Sequence, residues 1–236
     1  MPEEKKQINR PDAKVHKKPF NIEELEAEAK KRSDRIKAEF VNAFSFIKNY
    51  PKSITFFGSS RTKPTGRHYK EAKILAGRIV KELGYAVITG GGPGIMEAAN
   101  RGAYEAGGQS VGLNITLQHS QIKNDYTTDS LQFYYFFSRK AALSFSAEAF
   151  IFFPGGFGTL DEFFEIVTLI QTEKIVPVPI ILFGSDYWLP LNKFMLKNMY
   201  NAHKAIDKKD MGLYTITDDL DEAMRIIKKA PLRRGK

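Results

Sequence analysis

The sequence predicts an α/β fold: one doubly wound, mostly parallel sheet with helices on both faces. Three observations carry this. Short apolar runs alternate with amphipathic ones from Pro51 onward. Glycine-rich turns follow several of the apolar runs. No repeat and no linker interrupts residues 51–230. Strand–helix alternation of this kind means parallel strands joined by helical crossovers.

The elements follow in order. Residues 1–18 are poor in apolar side chains and hold two prolines, so a disordered basic arm is expected. Residues 19–50 read as a helical extension. Asn21-Ile22-Glu23-Glu24 looks like a cap leading into a charged helix that runs to about Tyr50. Strands are expected at 54–58, 86–90, 110–114, 133–137, 149–153 and 178–183. Helices are expected at 68–83, 94–106, 139–147, 160–172, 187–201 and 219–229. Residues 231–236 form a basic tail. The reading is a single Rossmann-like catalytic or binding domain over 51–230.

Bulk properties narrow the function classes. A chain of 236 residues is long enough to bury a substantial core. Apolar residues make up 42% and charged residues 27%, ordinary values for a globular protein. No apolar run approaches the ~18 residues needed to span a membrane. The chain has no cysteine, which excludes disulfides, thiol catalysis and thiolate metal sites. The first residues are polar, with no secretory apolar region, so a cytoplasmic protein is expected. The net charge of +9 raises the question of nucleic acid. Residues 1–18 carry six Lys/Arg and three Asp/Glu, and residues 225–236 carry six Lys/Arg and no acid. The rest is neutral. The excess therefore reads as solvated tails, with weak contact to RNA or acidic surfaces as the alternative.

In doubly wound sheets, ligands bind beyond the carboxyl ends of the strands. Three loops of small residues fall there. Gly58-Ser59-Ser60-Arg61 follows the first strand, Gly90-Gly91-Gly92-Pro93-Gly94 the second, and Pro154-Gly155-Gly156-Phe157-Gly158-Thr159 a later one. The third leads into a helix, so its bare N–H groups and the helix dipole favour a phosphate. Glu162 follows about one turn on. A phosphate grip beside an acid or base is the result.

Each feature has a plainer explanation. Thr159-x-x-Glu162 has the spacing of a capping box. A cap does not need Gly155, Gly156 and Gly158, however, and glycines cost conformational entropy. Thr159 could be both cap and phosphate ligand. The dipole is expected to favour the ionised form of Glu162. Arg139 and Lys140 open a helix, where cations oppose the dipole; a bound anion or a nearby carboxylate would explain them better than solvent. Glu97 reads as a dipole partner, and Arg61 as phosphate-facing or solvated. The cluster 133–137 reads as strand core, though one ring could stack on a purine. His16, His68, His119 and His203 share no ligand spacing, so no metal site is expected. Neither glycine loop is a dinucleotide fingerprint, and no P-loop occurs. No cofactor motif is recognised.

Taken together, the residues resemble a known family. Gly90 to Ala103, the Arg139-Lys140 pair, Pro154 to Glu162 and Gln171-Thr172-Glu173-Lys174 are similar to the LONELY GUY (LOG) family, long labelled "lysine decarboxylase-like". The resemblance covers roughly residues 51–230. It implies a phosphoribohydrolase that splits cytokinin riboside 5′-monophosphates or AMP into free base and ribose 5-phosphate. It implies no cofactor and a homodimer or higher homo-oligomer. By position, Arg139 and Glu162 fall on the family's catalytic pair. Gly155, Gly156, Gly158 and Thr159 fall on its phosphate loop. Gly91, Gly92, Gly94 and Met96 fall on its first glycine motif, and Gly58, Ser59, Arg61 and Lys140 complete the expected substrate-binding set. Two departures bear on base specificity: Glu97 replaces the usual glycine of plant members, and Phe136-Phe137-Ser138 replaces their acidic, His-containing run. A carrier that binds a nucleotide or molybdenum cofactor without hydrolysis is the second reading.

Overall fold

The computed structural model describes residues 21–116 and 123–232. The expected arm 1–18, His119 and the end of the tail lie outside them. The chain divides into two compact units, residues 1–38 and residues 39–236. The described part of the first is helical throughout after Asn21. It belongs to α1, Ile22–Ile47. Asn21 caps it as the sequence expects: its Oδ1 accepts from Glu24 N (2.8 Å), and Glu24 Oε2 accepts from Asn21 N (3.1 Å).

Among the described residues, the second unit is built on seven strands, all parallel. They are β1 (Ser53–Phe57), β2 (Ala86–Thr89), β3 (Ser110–Ile115), β4 (Asp129–Phe133), β5 (Ala147–Phe152), β6 (Ile180–Phe183) and β7 (Thr215–Thr217). Their order is β4-β3-β2-β1-β5-β6-β7. The helices are α2 (Arg67–Leu83), α3 (Ile95–Glu105), α4 (Phe136–Phe145), α5 (Phe157–Gln171), α6 (Ser185–Phe194) and α7 (Leu220–Lys229). This is the doubly wound, Rossmann-like class the sequence predicts.

The inner strands are buried along their whole length, which is why they read as continuous apolar runs. Alternate side chains still divide between two cores. Ile54, Phe56, Ile151, Phe153, Ile181 and Phe183 meet α2, α3 and α7. Phe57, Phe152, Ile180 and Leu182 meet α4, α5, α6 and the end of α1. Ala43, Ile47 and Tyr50 bring that end of α1 into the second core.

Four local expectations change. The strand expected at 133–137 ends at Phe133, and α4 already begins at Phe136. Its strand is the more polar Asp129–Phe133, a sheet edge with only Phe133 buried. Phe136 and Phe137 are exposed on the first turn of α4, not strand core. β7 is a three-residue edge strand too short to show a pattern. The helix expected at 187–201 is α6 followed by a π-helical stretch, Met195–Ala202. Pro190 lies inside α6, where it cannot donate to the helical ladder.

Candidate active site

The chain leaves β1 towards β2, β3 and β4, then returns to β5 on the other side of β1. That reversal opens a crevice at the carboxyl ends of β1 and β5. All three small-residue loops meet beside it. Ser59 N donates to Pro154 O (3.0 Å), tying the first loop to the third. Ile95 N donates to Ser59 O (3.0 Å), tying the second loop to the first. Gly94 adopts φ +73, and a Cβ there would overlap the backbone of Ser59 and Ser60. So Gly94 is needed for both its conformation and this close approach. Ser59 Oγ also accepts from Arg61 N (3.1 Å), and Arg61 itself is exposed.

The second loop is held from beneath by side chains that the sequence reading did not select. Thr89 Oγ1 accepts from Gly91 N (2.8 Å) and donates to Asn100 Oδ1 (2.6 Å). Asn124 Nδ2 donates to Gly92 O (3.0 Å) and to Asn100 Oδ1 (3.0 Å), and its backbone N donates to Gly91 O (3.0 Å). Asn114 Nδ2 reaches Gly91 O at 3.4 Å, while its buried Oδ1 has no partner. These amides satisfy carbonyls that a buried glycine turn would otherwise leave unpaired. Thr89 ends β2, Asn114 lies in β3, Asn100 in α3 and Asn124 in a loop, and nothing local in the sequence marks any of them as a loop support.

The third loop runs into α5. The capping box expected from Thr159 and Glu162 does not form: Gly156 is the N-cap residue, with no side-chain cap. Helix starts two residues before Thr159, so Thr159 lies inside the first turn and is buried. Gly156 and Gly158 are exposed, and a Cβ at either would meet open space. Tyr187 Oη donates to Gly155 O (2.7 Å), fixing the start of the turn. Phe157 stands almost wholly exposed between the two outer glycines.

Arg139 and Glu162 come from neighbouring helices on the same side of the sheet. Arg139 is buried, and its Nε donates to Leu113 O (2.8 Å) at the end of β3. Its guanidinium also lies against Gly90, where any Cβ would overlap it. Burial lowers the Arg139 pKa and the Glu162 charge raises it; the guanidinium remains a cation. Glu162 lies beside Phe57, Leu143 and Ile166. Burial pushes its carboxyl up to about 7, against a lowering by Arg139. This reverses the expected effect of the helix dipole. Glu162 sits more than a turn inside α5, beyond the reach of the end charges.

Lys140 lines the same small cavity as Glu162. Its Nζ pairs with Asp161 Oδ2 (3.0 Å) and Glu165 Oε2 (2.9 Å), clamping α4 to α5. Burial lowers its pKa, but the hydrogen bonds to Glu165 and Asp161 outweigh that and leave it raised. Met96 is half-buried, with its sulfur near Gly90. Glu97 accepts from Tyr69 Oη (2.6 Å) and so joins α3 to α2. His68 pairs with Glu71, with Nδ1 3.0 Å from Oε2.

Known proteins bear on this site at two levels. A probable cytokinin riboside 5′-monophosphate phosphoribohydrolase of Oryza sativa subsp. japonica is 32% identical over 155 residues, 62% of this chain and 60% of that protein. An Arabidopsis thaliana cytokinin riboside 5′-monophosphate phosphoribohydrolase is 31% identical over 124 residues, 52% of this chain and 56% of that protein. The chain thus matches under two thirds of the length of these relatives. Among solved structures, the molybdenum cofactor carrier protein of Chlamydomonas reinhardtii aligns with TM-score 0.56 and 22% identity, covering 76% of this chain and 97% of that one. A molybdenum cofactor binding protein of Rippkaea orientalis aligns with TM-score 0.52 and 21% identity, covering 75% and 93%. At such identity these two likenesses establish the fold alone. The family model described as "Possible lysine decarboxylase" matches residues 96–227, more than half of the chain, from just after the second glycine loop through Arg139 and Glu162. The chain belongs to that family, the LOG family.

Proposed function

We propose that the protein hydrolyses the N-glycosidic bond of a purine nucleoside 5′-monophosphate, AMP or an N6-modified cytokinin-type analogue, to free base and ribose 5-phosphate. What supports this is buried Arg139 and Glu162 on neighbouring helices, each within reach of the other's charge, beside three converging small-residue loops. The names of the relatives point the same way.

In this reading the open edge of the third loop, Gly156 and Gly158 with the N–H groups of α5, holds the 5′-phosphate. Gly58, Ser59 and Arg61 border the same crevice. Grip on the phosphate positions the ribose, so remote binding energy lowers the barrier at the glycosidic bond. As that bond breaks, positive charge builds on the ribose, as in other glycoside hydrolysis. Ionised Glu162 stabilises that charge or takes a proton from the attacking water. The water oxygen bonds to C1′, the glycosidic electron pair leaves with the base, and the base gains a proton. Arg139 orients the ribose phosphate or assists the departing base.

Decarboxylation, the chemistry in the family's description, fits these residues poorly. With pyridoxal phosphate it needs a neutral lysine amine to form the Schiff base. Lys140, the lysine beside Arg139, is held charged between Asp161 and Glu165.

We further infer a cytoplasmic homo-oligomer. Tyr134, Phe136, Phe137 and Phe145 stand exposed on and beside α4, apolar surface of the kind that marks association sites. Chromatography of the purified protein after incubation with AMP and with adenosine tests the activity. Adenine released from AMP alone supports a phosphate-dependent hydrolase. If AMP and an N6-modified nucleotide both stay intact while bound, the carrier reading replaces it.

A further inference from the structure

α4 begins against its own electrostatics. Its first two turns hold Arg139 and Lys140 and its first turn holds no acid. Its N-cap residue, Tyr135, offers no side-chain hydrogen bond. Cations near a helix N-terminus oppose the dipole, and the first N–H groups need acceptors. For the N–H of the cap residue the acceptor comes from another helix. Glu39, on the last third of α1, accepts from Tyr134 N (2.7 Å), Tyr135 N (3.3 Å) and Ser138 Oγ (2.6 Å). One carboxylate thus binds the residue before the cap, the cap and the residue next to Arg139.

We propose that Glu39 is a positioning residue for Arg139, its carboxylate tying the two residues that lead into α4 to the Ser138 hydroxyl of its first turn. The proposal rests on the reading above of Arg139 and Glu162 as the working pair. Two fixed points then define the arginine. Glu39 holds the start of its helix through Ser138, and Leu113 O holds its Nε. The guanidinium fills the space that Gly90 leaves free. Releasing the first turn lets the side chain drift, and misplacement by about 1 Å is enough to cost roughly 10²-fold in rate.

The test is a double-mutant cycle of Glu39→Ala and Arg139→Ala, with Glu39→Gln as the conservative variant. Glu39→Ala is expected to lower kcat for AMP at least about 10-fold. Added to Arg139→Ala it is expected to cost nothing further. Glu39→Gln keeps an acceptor for the backbone N–H groups and restores most of the loss; it also serves if the alanine variant folds poorly. A second readout needs no turnover: the titration of Glu162 in 13C-glutamate-labelled protein, assigned by its absence in Glu162→Gln. The groups acting on Glu162 are Arg139 and Lys140 from α4, and Asp161 and Glu165 from its own helix. Arg139 pulls its titration down, so Glu39→Ala is expected to move it to higher pH, with no shift in the Arg139→Ala background. Equal losses in both backgrounds, or an unmoved Glu162 titration, would overturn the proposal. Absence of adenine from the wild-type protein would instead count against the hydrolase reading and leave the titration result to judge Glu39.

Discussion

Glu162 is under two opposed influences. Burial beside Phe57, Leu143 and Ile166 raises its pKa, and the Arg139 cation lowers it; the balance stands at about 7. A base poised there is half ionised at neutral pH, the range where general-base catalysis works best. The activity is therefore expected to rise with pH through an apparent pKa near 7. A rate profile flat from pH 5.5 to 8.5 would remove Glu162 from the mechanism. The same shift costs stability. A carboxyl with a folded pKa above its ordinary 4.5 favours folding while protonated. That contribution is complete below about 4.5 and is lost as the pH rises through 7. Glu162→Gln, uncharged at every pH, is expected to raise the Tm at pH 8 by several degrees, and not at pH 4. Differential scanning calorimetry at the two pH values reads this directly. A functional group that destabilises its own fold is the signature expected of a site rather than of packing.

At the scale of elements, the loops are the parts that tolerate least. Gly90→Ala would push on the guanidinium of Arg139 and the sulfur of Met96, both far ends of flexible side chains. The fold is expected to survive while kcat/KM falls roughly 10²-fold; a wild-type rate would show that Arg139 can move without consequence. Gly94→Ala is different. It would meet backbone of Ser59 and Ser60 at φ +73, and is expected to cost at least about 2 kcal/mol by denaturant unfolding. What the sequence shows and hides follows the same division. Inner strands such as β5 and β6 read clearly because both faces are buried. Edge strand β4 does not, because four of its five residues reach solvent. The aromatic run after it has strand propensity, yet α4 begins inside it because Glu39 caps that point from another helix. The glycine loops were legible from their composition. Asn124, which supports the second loop at Gly92, lies 32 residues from it, and Glu39 lies 95 to 99 residues from its partners at the start of α4; no local pattern records either.

At the scale of the whole molecule, the strand order places β1 and β5 side by side at the reversal of the winding. That places the first and third loops together, and the short tie from Ile95 to Ser59 draws in the second. In the proposed reading a ligand sits where these loops meet, and Arg139 and Glu162 decide between a hydrolase and a carrier of the same fold. The most direct measurement compares wild-type protein with Glu162→Gln on AMP, following adenine by chromatography and nucleotide affinity by calorimetry. The account predicts that the variant binds AMP within a few-fold of wild type and releases adenine on the order of 10² to 10⁴ times more slowly. Near-wild-type release by the variant, or no release by either protein while both bind AMP, would contradict it.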